Sequence, residues 1–183
     1  MQQSFDLFFV SSNSHKYQEA KKILESFGIS LGFFKYDLEE IQSHSLKKIA
    51  SKKAKQAFQK WKKPIIVEDD GLFIDALAGF PGPYSSYAFK TIGNKGILHL
   101  LRENRSAKFV SIISFCDTKH SKSFEATING RISKLQIGKG WGYDPIFIPT
   151  NSKNTFAALP NKNKLSHRYL ALKKFSSWYL HRR

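Results

Sequence analysis

The sequence is poor in several residue types, and each shortage excludes a class of protein. One of its 183 residues is cysteine, Cys116, so no disulfide can form within the chain, and a disulfide-stapled secreted fold is excluded. No apolar run reaches the roughly 20 residues that a membrane-spanning helix needs. No basic and then apolar leader opens the chain. We therefore expect a soluble protein of the cytoplasm.

Acidic residues are scarce as well. The chain has 14 Asp and Glu against 30 Lys and Arg, a formal net charge of +16. Such a charge favours anionic partners, which include nucleotides, phosphates and nucleic acid, without choosing among them. The lysines are spread along the chain, so a lysine-rich solvated surface explains them equally well. Nucleic-acid binding therefore stays an open alternative, and the charge does not require it.

Apolar patterning predicts a mixed α/β fold with strands alternating with helices. The 41% hydrophobic share and the 16 Phe are enough for one core, and we expect a single domain over residues 1–183. The predicted strands and helices lie in this order: strand 5–10, helix 15–27, helix 45–63, strand 64–67, helix 94–105, a hairpin of strands 108–117 and 122–133, a short strand near 146–149, and helix 161–180.

An acidic triplet, Glu68, Asp69 and Asp70, follows the apolar run that predicts the strand at 64–67. Functional groups in α/β sheets gather beyond the carboxyl ends of the strands. Adjacent carboxylates repel unless a cation or a shared proton offsets them, and one or two carboxylates are typical ligands of Mg²⁺. The alternative is a polar turn built on Asp70-Gly71. The position of the triplet at the end of a strand, together with the scarcity of acidic residues elsewhere in the chain, favours a functional site.

Other segments are individually weaker candidates. The Ser/Asn turn at 11–14 enters a helix whose first turn holds Lys16, which suits an anion or plain capping. Lys53 falls within the apolar arc of its helix, where a lysine either snorkels or meets a buried anion. In the glycine-rich loop 138–145, Trp141 and Tyr143 could stack on a base or pack in the core. Residues 166–168 open the last helix with groups that can donate to a base or phosphate.

Four of these stretches, read together, resemble a known family. The segments SSNSHKYQE, VEDDGLFIDALAGFPGPYSS, GWGYDPIF and TFAALPNKNKLSHR look like the signatures of the inosine triphosphate pyrophosphatases, the Ham1-like enzymes that act on non-canonical purine nucleoside triphosphates. They occur in the family's order. The resemblance implies an elongated mixed central sheet flanked by helices, with two lobes, the site in the cleft between them, and a homodimer. It also implies Mg²⁺-dependent hydrolysis of ITP, dITP and XTP to the monophosphate and pyrophosphate, which sanitises the nucleotide pool.

The resemblance also assigns roles to individual residues. Asp69 is implied as the catalytic base and a metal ligand, Glu40 as the second metal ligand, and Glu68 as a further metal candidate. The implied substrate-binding residues are Ser11, Ser12, Asn13, Lys16, Lys53, Asp70, Trp141, Gly142, Tyr143, Asp144, Lys162, Ser166, His167 and Arg168.

The sequence departs from the family pattern at a few of these positions. Ser11-Ser12 replaces Thr-Gly at the phosphate turn, and Ser12 would be strained if the turn required a positive φ. Trp141 replaces Phe, and Asp70 stands where Ser is common. Two other functions remain as alternatives: a basic nucleic-acid-binding protein, and a pyrophosphatase of related fold that acts on modified pyrimidine nucleotides.

Overall fold

The computed structural model describes residues 4–182, which contain six strands and six α helices. The strands are β1 (Leu7–Ser11), β2 (Leu31–Lys35), β3 (Ile65–Ile74), β4 (Ser106–Cys116), β5 (Ser121–Ile132) and β6 (Phe147–Pro149). The helices are α1 (Ser14–Glu25), α2 (Leu46–Trp61), α3 (Ser85–Thr91), α4 (Gly93–Leu100), α5 (Lys162–Leu165) and α6 (His167–His181). No helix in this described range is long and apolar enough to cross a membrane.

The strands form one mixed sheet in the order β2-β1-β3-β4-β5-β6. β1 runs parallel to both of its neighbours, whereas β6 runs antiparallel to β5. β4 and β5 are adjacent and are joined by a short turn in which the Asp117 N–H donates to the His120 carbonyl over 2.9 Å. A connection that short joins antiparallel strands. The predicted hairpin and the predicted mixed α/β class are confirmed.

The chain divides into two compact units. The first comprises residues 4–69, 111–126 and 168–182, and its core packs α1 and α6 against apolar side chains of β1, β2, β4 and β5. The second comprises residues 70–110 and 127–167. Its own core draws on Leu72, Ile97, Phe109 and Phe147 among others.

Helix α2 forms where its pattern predicts. Ser45 caps the N-terminus because its Oγ accepts from the Lys48 N–H over 3.3 Å. Lys62 ends the helix in a left-handed conformation, with φ at 52°, and Pro64 prevents continuation. The buried face holds Ile49, Ala50, Ala54 and Ala57. The helix begins and ends within the predicted range, because the N-cap and the C-terminal stop are both set by residues close to the helix ends.

Strand β3 corrects a prediction about the acidic triplet. We expected the strand to end at Val67, with the triplet beyond it, but β3 continues through all three carboxylates to Ile74. Gly71 does not form a turn. A Cβ at Gly71 would stand 2.5 Å from the Gly82 carbonyl oxygen, so the glycine permits a close backbone approach instead.

Two helical predictions also need correction. Helix α4 ends at Leu100 instead of Arg105, because the backbone of Leu101 is extended, with ψ at 131°, and the chain enters β4 at Ser106. The predicted C-terminal helix is two helices, α5 and α6, since Ser166 between them is extended, with ψ at 158°. Strand β2 and helix α3 were not predicted.

Candidate active site

The turn between β1 and α1 has the geometry of an anion site at a helix N-terminus. Asn13 is the N-cap, and its Oδ1 accepts from the N–H groups of His15 at 3.0 Å and Lys16 at 3.4 Å. The Ser11 Oγ accepts from the Asn13 N–H at 3.0 Å. Ser12 is not among the described non-glycine residues with positive φ, so its replacement of glycine carries no such strain. Lys16 lies in the first turn of this helix.

Lys53 joins two carboxylates in the first unit. Its Nζ lies 2.5 Å from Glu40 Oε2 and 2.9 Å from Asp69 Oδ1. Its position in the apolar arc of α2 is therefore explained by a buried anion, the second of the two alternatives. The Glu40 side chain is about half exposed, whereas Asp69 is buried. The other Asp69 oxygen, Oδ2, is buried and has no hydrogen-bond partner among the described residues.

The environment of Asp69 makes it a weaker acid that can hold a proton near neutral pH. Burial raises its pKa from 3.8 to about 6, because a desolvated carboxylate loses hydration. The charges of Lys53 and Lys16 oppose this rise, and Glu40 adds to it. A carboxylate with such a pKa can accept a proton from water at physiological pH more effectively than an ordinary aspartate.

Glu68 and Arg168 form a buried ion pair in the first unit. The Arg168 Nε donates to Glu68 Oε2 over 2.7 Å, and the same guanidinium donates through Nη1 to Glu19 Oε2. The second Glu68 oxygen accepts from Ser111 Oγ, also over 2.7 Å. The resemblance assigned Arg168 to base reading. That assignment remains a prediction, and sequence reasoning missed both carboxylate partners.

Asp70 and His167 face each other in the second unit. The His167 Nε2 lies 3.7 Å from Asp70 Oδ2, and the ring stacks on Phe109 with centroids 4.5 Å apart and planes 7° from parallel. The other ring nitrogen, Nδ1, is buried and has no hydrogen-bond partner among residues 4–182. Asp70 therefore has a definite neighbour, which the sequence did not indicate.

The glycine-rich loop separates its two aromatic candidates. Tyr143 is buried in the core of the second unit, where its hydroxyl donates to the Ser85 carbonyl over 2.9 Å. Trp141 is partly exposed, and the Lys162 Nζ lies 5.6 Å from its ring centroid. The same Nζ lies 2.5 Å from Asp144 Oδ2. Of the two rings, Trp141 is the one that offers an accessible face.

Gly142 turns this loop with a φ of +60°, which favours glycine over other residues. Its carbonyl accepts from Asn94 Nδ2 over 3.0 Å, a contact between residues 48 apart in the chain. Ser166 is fully buried and immediately precedes His167. Asn94 and Phe109 also contact candidate residues, Asn94 through Gly142 and Phe109 through His167. The sequence did not indicate either residue, because neither lies in a motif and only the tertiary fold brings these pairs together.

The predicted residues thus fall into two groups, one in each unit. The first unit holds Ser11, Ser12, Asn13, Lys16, Glu40, Lys53, Glu68, Asp69 and Arg168. The second holds Asp70, Trp141, Gly142, Tyr143, Asp144, Lys162, Ser166 and His167. Among the residues that the structure describes, no three or more His, Cys, Asp or Glu side chains stand together as a ready metal cage.

Comparison with known proteins gives a consistent result. A model of the Ham1 family matches residues 7–178. The chain is 48% identical over 179 residues to a dITP/XTP pyrophosphatase of Methanopyrus kandleri, a match that covers 94% of this chain and 95% of that protein. A dITP/XTP pyrophosphatase of Thermococcus kodakarensis is 42% identical over 177 residues, covering 94% of this chain and 96% of the relative.

Solved structures with a similar fold carry the same family name. A Ham1 protein from Coxiella burnetii is 27% identical with a TM-score of 0.81, covering 97% of this chain and all of that one. The Staphylococcus aureus Ham1 protein is 28% identical with a TM-score of 0.77, covering 96% of this chain and all of its own.

Proposed function

Because the chain belongs to the Ham1 family, we propose that it is a nucleoside triphosphate pyrophosphatase acting on dITP, ITP and XTP. It adds water to the substrate and releases the nucleoside monophosphate and pyrophosphate. The curated relatives, which are named dITP/XTP pyrophosphatases, support this substrate class. The cellular role is removal of non-canonical purine nucleotides from the pool.

The main support for the proposal is the buried environment of the Asp69 carboxylate. It is a buried carboxylate with a pKa of about 6 and one oxygen that accepts no hydrogen bond from the described residues. We assign it as the base that takes a proton from the attacking water while the water oxygen bonds to the α-phosphorus. The bond from that phosphorus to the bridging oxygen breaks, and pyrophosphate leaves with the electron pair.

The first unit supplies the groups that hold the triphosphate. The N-terminus of α1, where Asn13 is the N-cap, is the kind of helix end at which a phosphate group binds, and a phosphate there would take over N–H groups that Asn13 now caps. Lys16 adds positive charge in the same turn. Lys53, held between Glu40 and Asp69, is placed to contact a phosphate oxygen beside the base. These fixed donors stabilise charge that develops on the phosphoryl oxygens.

The residues present suit a divalent cation, and we propose Mg²⁺. Asp69 and Glu40 offer two carboxylates close together, since one oxygen of each lies within 2.9 Å of the same Lys53 Nζ, and Asp69 Oδ2 stays available as the base. Two carboxylates fit Mg²⁺, which takes further oxygens from water and substrate phosphates. Both Glu68 oxygens already accept from Arg168 and Ser111, so Glu68 is left out of the ligand set. Bound there, the ion would neutralise phosphate charge and polarise the phosphoryl group.

The second unit supplies the groups that read the base. Trp141 offers a ring for stacking, and Lys162, which pairs with Asp144, holds its Nζ over that ring at 5.6 Å from the centroid. His167, fixed by stacking on Phe109 and by Asp70, presents the partnerless Nδ1. Hypoxanthine and xanthine carry a 6-keto acceptor where adenine carries an amino donor. A donor such as the Lys162 ammonium pairs with the 6-keto oxygen and rejects adenine, because the adenine amino group is itself a donor and leaves the lysine unpaired.

The remaining features of the proposal concern organisation. We propose one Ham1-like domain over residues 1–183, supported by the family match over residues 7–178, which runs through segments of both units. We also propose a homodimer in the cytoplasm. The exposed aromatic side chains of Tyr84, Tyr87 and Phe89, which lie close together in sequence around α3, support a protein-contacting surface there.

The experiment is a pyrophosphate-release assay over dITP, ITP, XTP, GTP, ATP and UTP, each with Mg²⁺ and with EDTA. The proposal predicts release from the first three with Mg²⁺, little from ATP and UTP, and none with EDTA. Preference for modified pyrimidine nucleotides would favour the related-fold alternative. Tight, steeply salt-dependent binding of RNA together with no hydrolysis would favour the nucleic-acid-binding alternative.

A further inference from the structure

Helix α2 and its flanks carry a concentration of positive charge that the proposed hydrolysis does not use. Residues 41–67 contain eight lysines and no Asp or Glu, whereas the whole chain has 14 acidic residues against 30 basic ones. Of the eight lysines, Lys53 belongs to the proposed site. The other seven are exposed: Lys47, Lys48, Lys52, Lys55, Lys60, Lys62 and Lys63. The excess of positive charge is therefore local, and it lies on the solvent-exposed surface of the first unit.

Four of these lysines follow one side of α2, and they are called the lysine row below. Lys48, Lys52 and Lys55 are spaced by four and then three residues, so they stand one above another on the helix. Lys62, the C-cap, comes two further turns along. At 1.5 Å per residue the lysine row is about 21 Å long. The buried residues of α2 lie on its opposite side, so the lysine row points into solvent.

The lysine row is unfavourable for the helix by itself. Like charges three or four residues apart on a helix repel each other. Lys47 and Lys48 lie in the first turn, where positive charge opposes the helix dipole and no acidic residue offsets it. Helix α1 shows the usual alternative, since its Lys21 pairs with Glu25 four residues later at 3.7 Å. An anionic partner lying along α2 would supply the compensation that its own sequence lacks.

The basic surface continues onto the neighbouring β4–β5 turn. Burial raises the pKa of the Cys116 thiol at the end of β4, Asp117 adds to the rise, and the charge of Lys55 opposes it. Lys55 therefore lies within electrostatic range of this strand end. The turn adds the exposed Lys119. Its Asp117 carboxylate is already paired, because the Arg182 Nη1 donates to Oδ2 over 2.8 Å.

An exposed aromatic side chain stands at the C-terminal end of α2. Tyr36, which follows β2, is 42% exposed, and its ring packs edge-on against Trp61 with centroids 5.3 Å apart. Trp61 in turn stacks on Phe34, with centroids 4.8 Å apart and planes 8° from parallel. The Lys60 Nζ lies 4.7 Å from the Tyr36 centroid. Lysines beside a fixed aromatic ring are the combination that binds single-stranded nucleic acids, whose phosphates pair with lysine while a base stacks on the ring.

We propose that the lysine row, with Tyr36 at its end, binds single-stranded nucleic acid as a second, non-catalytic function of this chain. Phosphates of one strand lie along the lysine row and pair with its ammonium groups, which releases counterions. A membrane surface is disfavoured, because an interfacial helix inserts its apolar face, and that face of α2 is buried in the first unit. The inference is separate from the proposed hydrolysis, since it uses none of the residues assigned to it.

The first test measures, by fluorescence anisotropy, the binding of a labelled single-stranded RNA of about 20 nucleotides at several NaCl concentrations. The unmodified chain should bind with a Kd of about 10 μM at about 0.1 M salt. The variant Lys48→Gln/Lys52→Gln/Lys55→Gln removes three phosphate contacts, each worth about 0.7 in the slope of log Kd against log salt. The slope should therefore fall by about 2, and Kd at about 0.1 M salt should rise about 100-fold.

The matched control removes three exposed lysines of the second unit, in the variant Lys95→Gln/Lys134→Gln/Lys153→Gln. It loses the same net charge and should keep Kd within about threefold. Both triple variants should hydrolyse dITP with unchanged kcat and KM, and thermal unfolding confirms that each is folded. Tyr36→Ala should raise Kd about tenfold while leaving the salt slope unchanged, because it removes stacking and no charge.

The inference predicts RNA binding and dITP hydrolysis in the same chain. It is overturned if the unmodified chain does not bind the RNA at about 0.1 M salt. Equal losses in the two triple variants would also overturn it, since net charge and not the lysine row would then be responsible. Tighter binding of a duplex, unaffected by Tyr36→Ala, would contradict the assignment to single strands. Binding of phosphatidylserine vesicles in place of RNA, lost in the α2 variant, would assign the lysine row to a membrane surface.

Discussion

Replacing Asp69 with Asn is predicted to stabilise the metal-free protein near neutral pH while abolishing activity. The folded-state pKa of Asp69 is raised from 3.8 to about 6 by burial. A group with a raised folded-state pKa contributes full stability below its unfolded pKa and loses that contribution as the pH rises through the folded value. The ionised carboxylate is therefore a destabilising group at pH 7, and neutral Asn removes this cost.

The size of this stabilisation follows from the pKa shift of Asp69. A rise of about two pKa units corresponds to about 3 kcal/mol of free energy. Roughly half of this loss falls between pH 5 and pH 7.5, because the unfolded chain already ionises near pH 4. The free energy of unfolding of Asp69→Asn minus that of the unmodified chain should therefore grow by about 1.5 kcal/mol over that interval.

The assay is urea unfolding in EDTA at pH 5, 6, 6.75 and 7.5. Asp75→Asn is the control, since Asp75 is an exposed carboxylate in the second unit. It reports the effect of losing a carboxylate that is not buried. A difference between Asp69→Asn and the unmodified chain that stays flat, or that shrinks as the pH rises, would refute the reasoning about Asp69.

Three further predictions concern the site. Lys53→Met should lower kcat on dITP about 100-fold. It should also move the acidic limb of the pH–rate profile upward, because Lys53 lowers the pKa of Asp69; an unmoved limb would separate Lys53 from the base. Trp141→Ala should raise KM for dITP about tenfold through lost stacking, whereas Trp141→Phe should keep a near-normal KM; equal KM values in steady-state assays would exclude a stacking role. Asp70→Ser should reduce the ratio of dITP to dATP turnover about threefold by releasing His167 from its neighbour, measured in competition between the two substrates, and an unchanged ratio would remove Asp70 from base reading.

Local sequence signals predicted the elements whose boundaries are set locally. Ser45 and Lys62 delimit α2 as expected, because capping and stop signals act over a few residues. Strand β3 was predicted too short for the same reason. Three adjacent carboxylates followed by glycine have the local pattern of a turn. Tertiary partners supply what the local pattern lacks: Arg168 beside Glu68, Lys53 beside Asp69 and His167 beside Asp70.

The candidate site likewise contains residues that the sequence motifs indicated and contacts that only the fold shows. Motif resemblance placed Asn13, Lys53, Asp69 and Trp141 among functional residues. It could not show that Tyr143 is buried in the core, or that Glu19 belongs with Arg168, since those two residues lie 149 positions apart. Single residues outside motifs carry no pattern that a sequence can reveal. Their roles follow from the contacts that the fold creates.

Hydrolysis of dITP in ¹⁸O-labelled water tests the central claim, that water activated by Asp69 attacks the α-phosphorus, most directly. Mass spectrometry of the products after one turnover with Mg²⁺ should find the label in dIMP and none in pyrophosphate. The Asp69→Asn variant should form neither product at a comparable rate. Label in pyrophosphate, release of orthophosphate in its place, or undiminished turnover by Asp69→Asn would contradict the account.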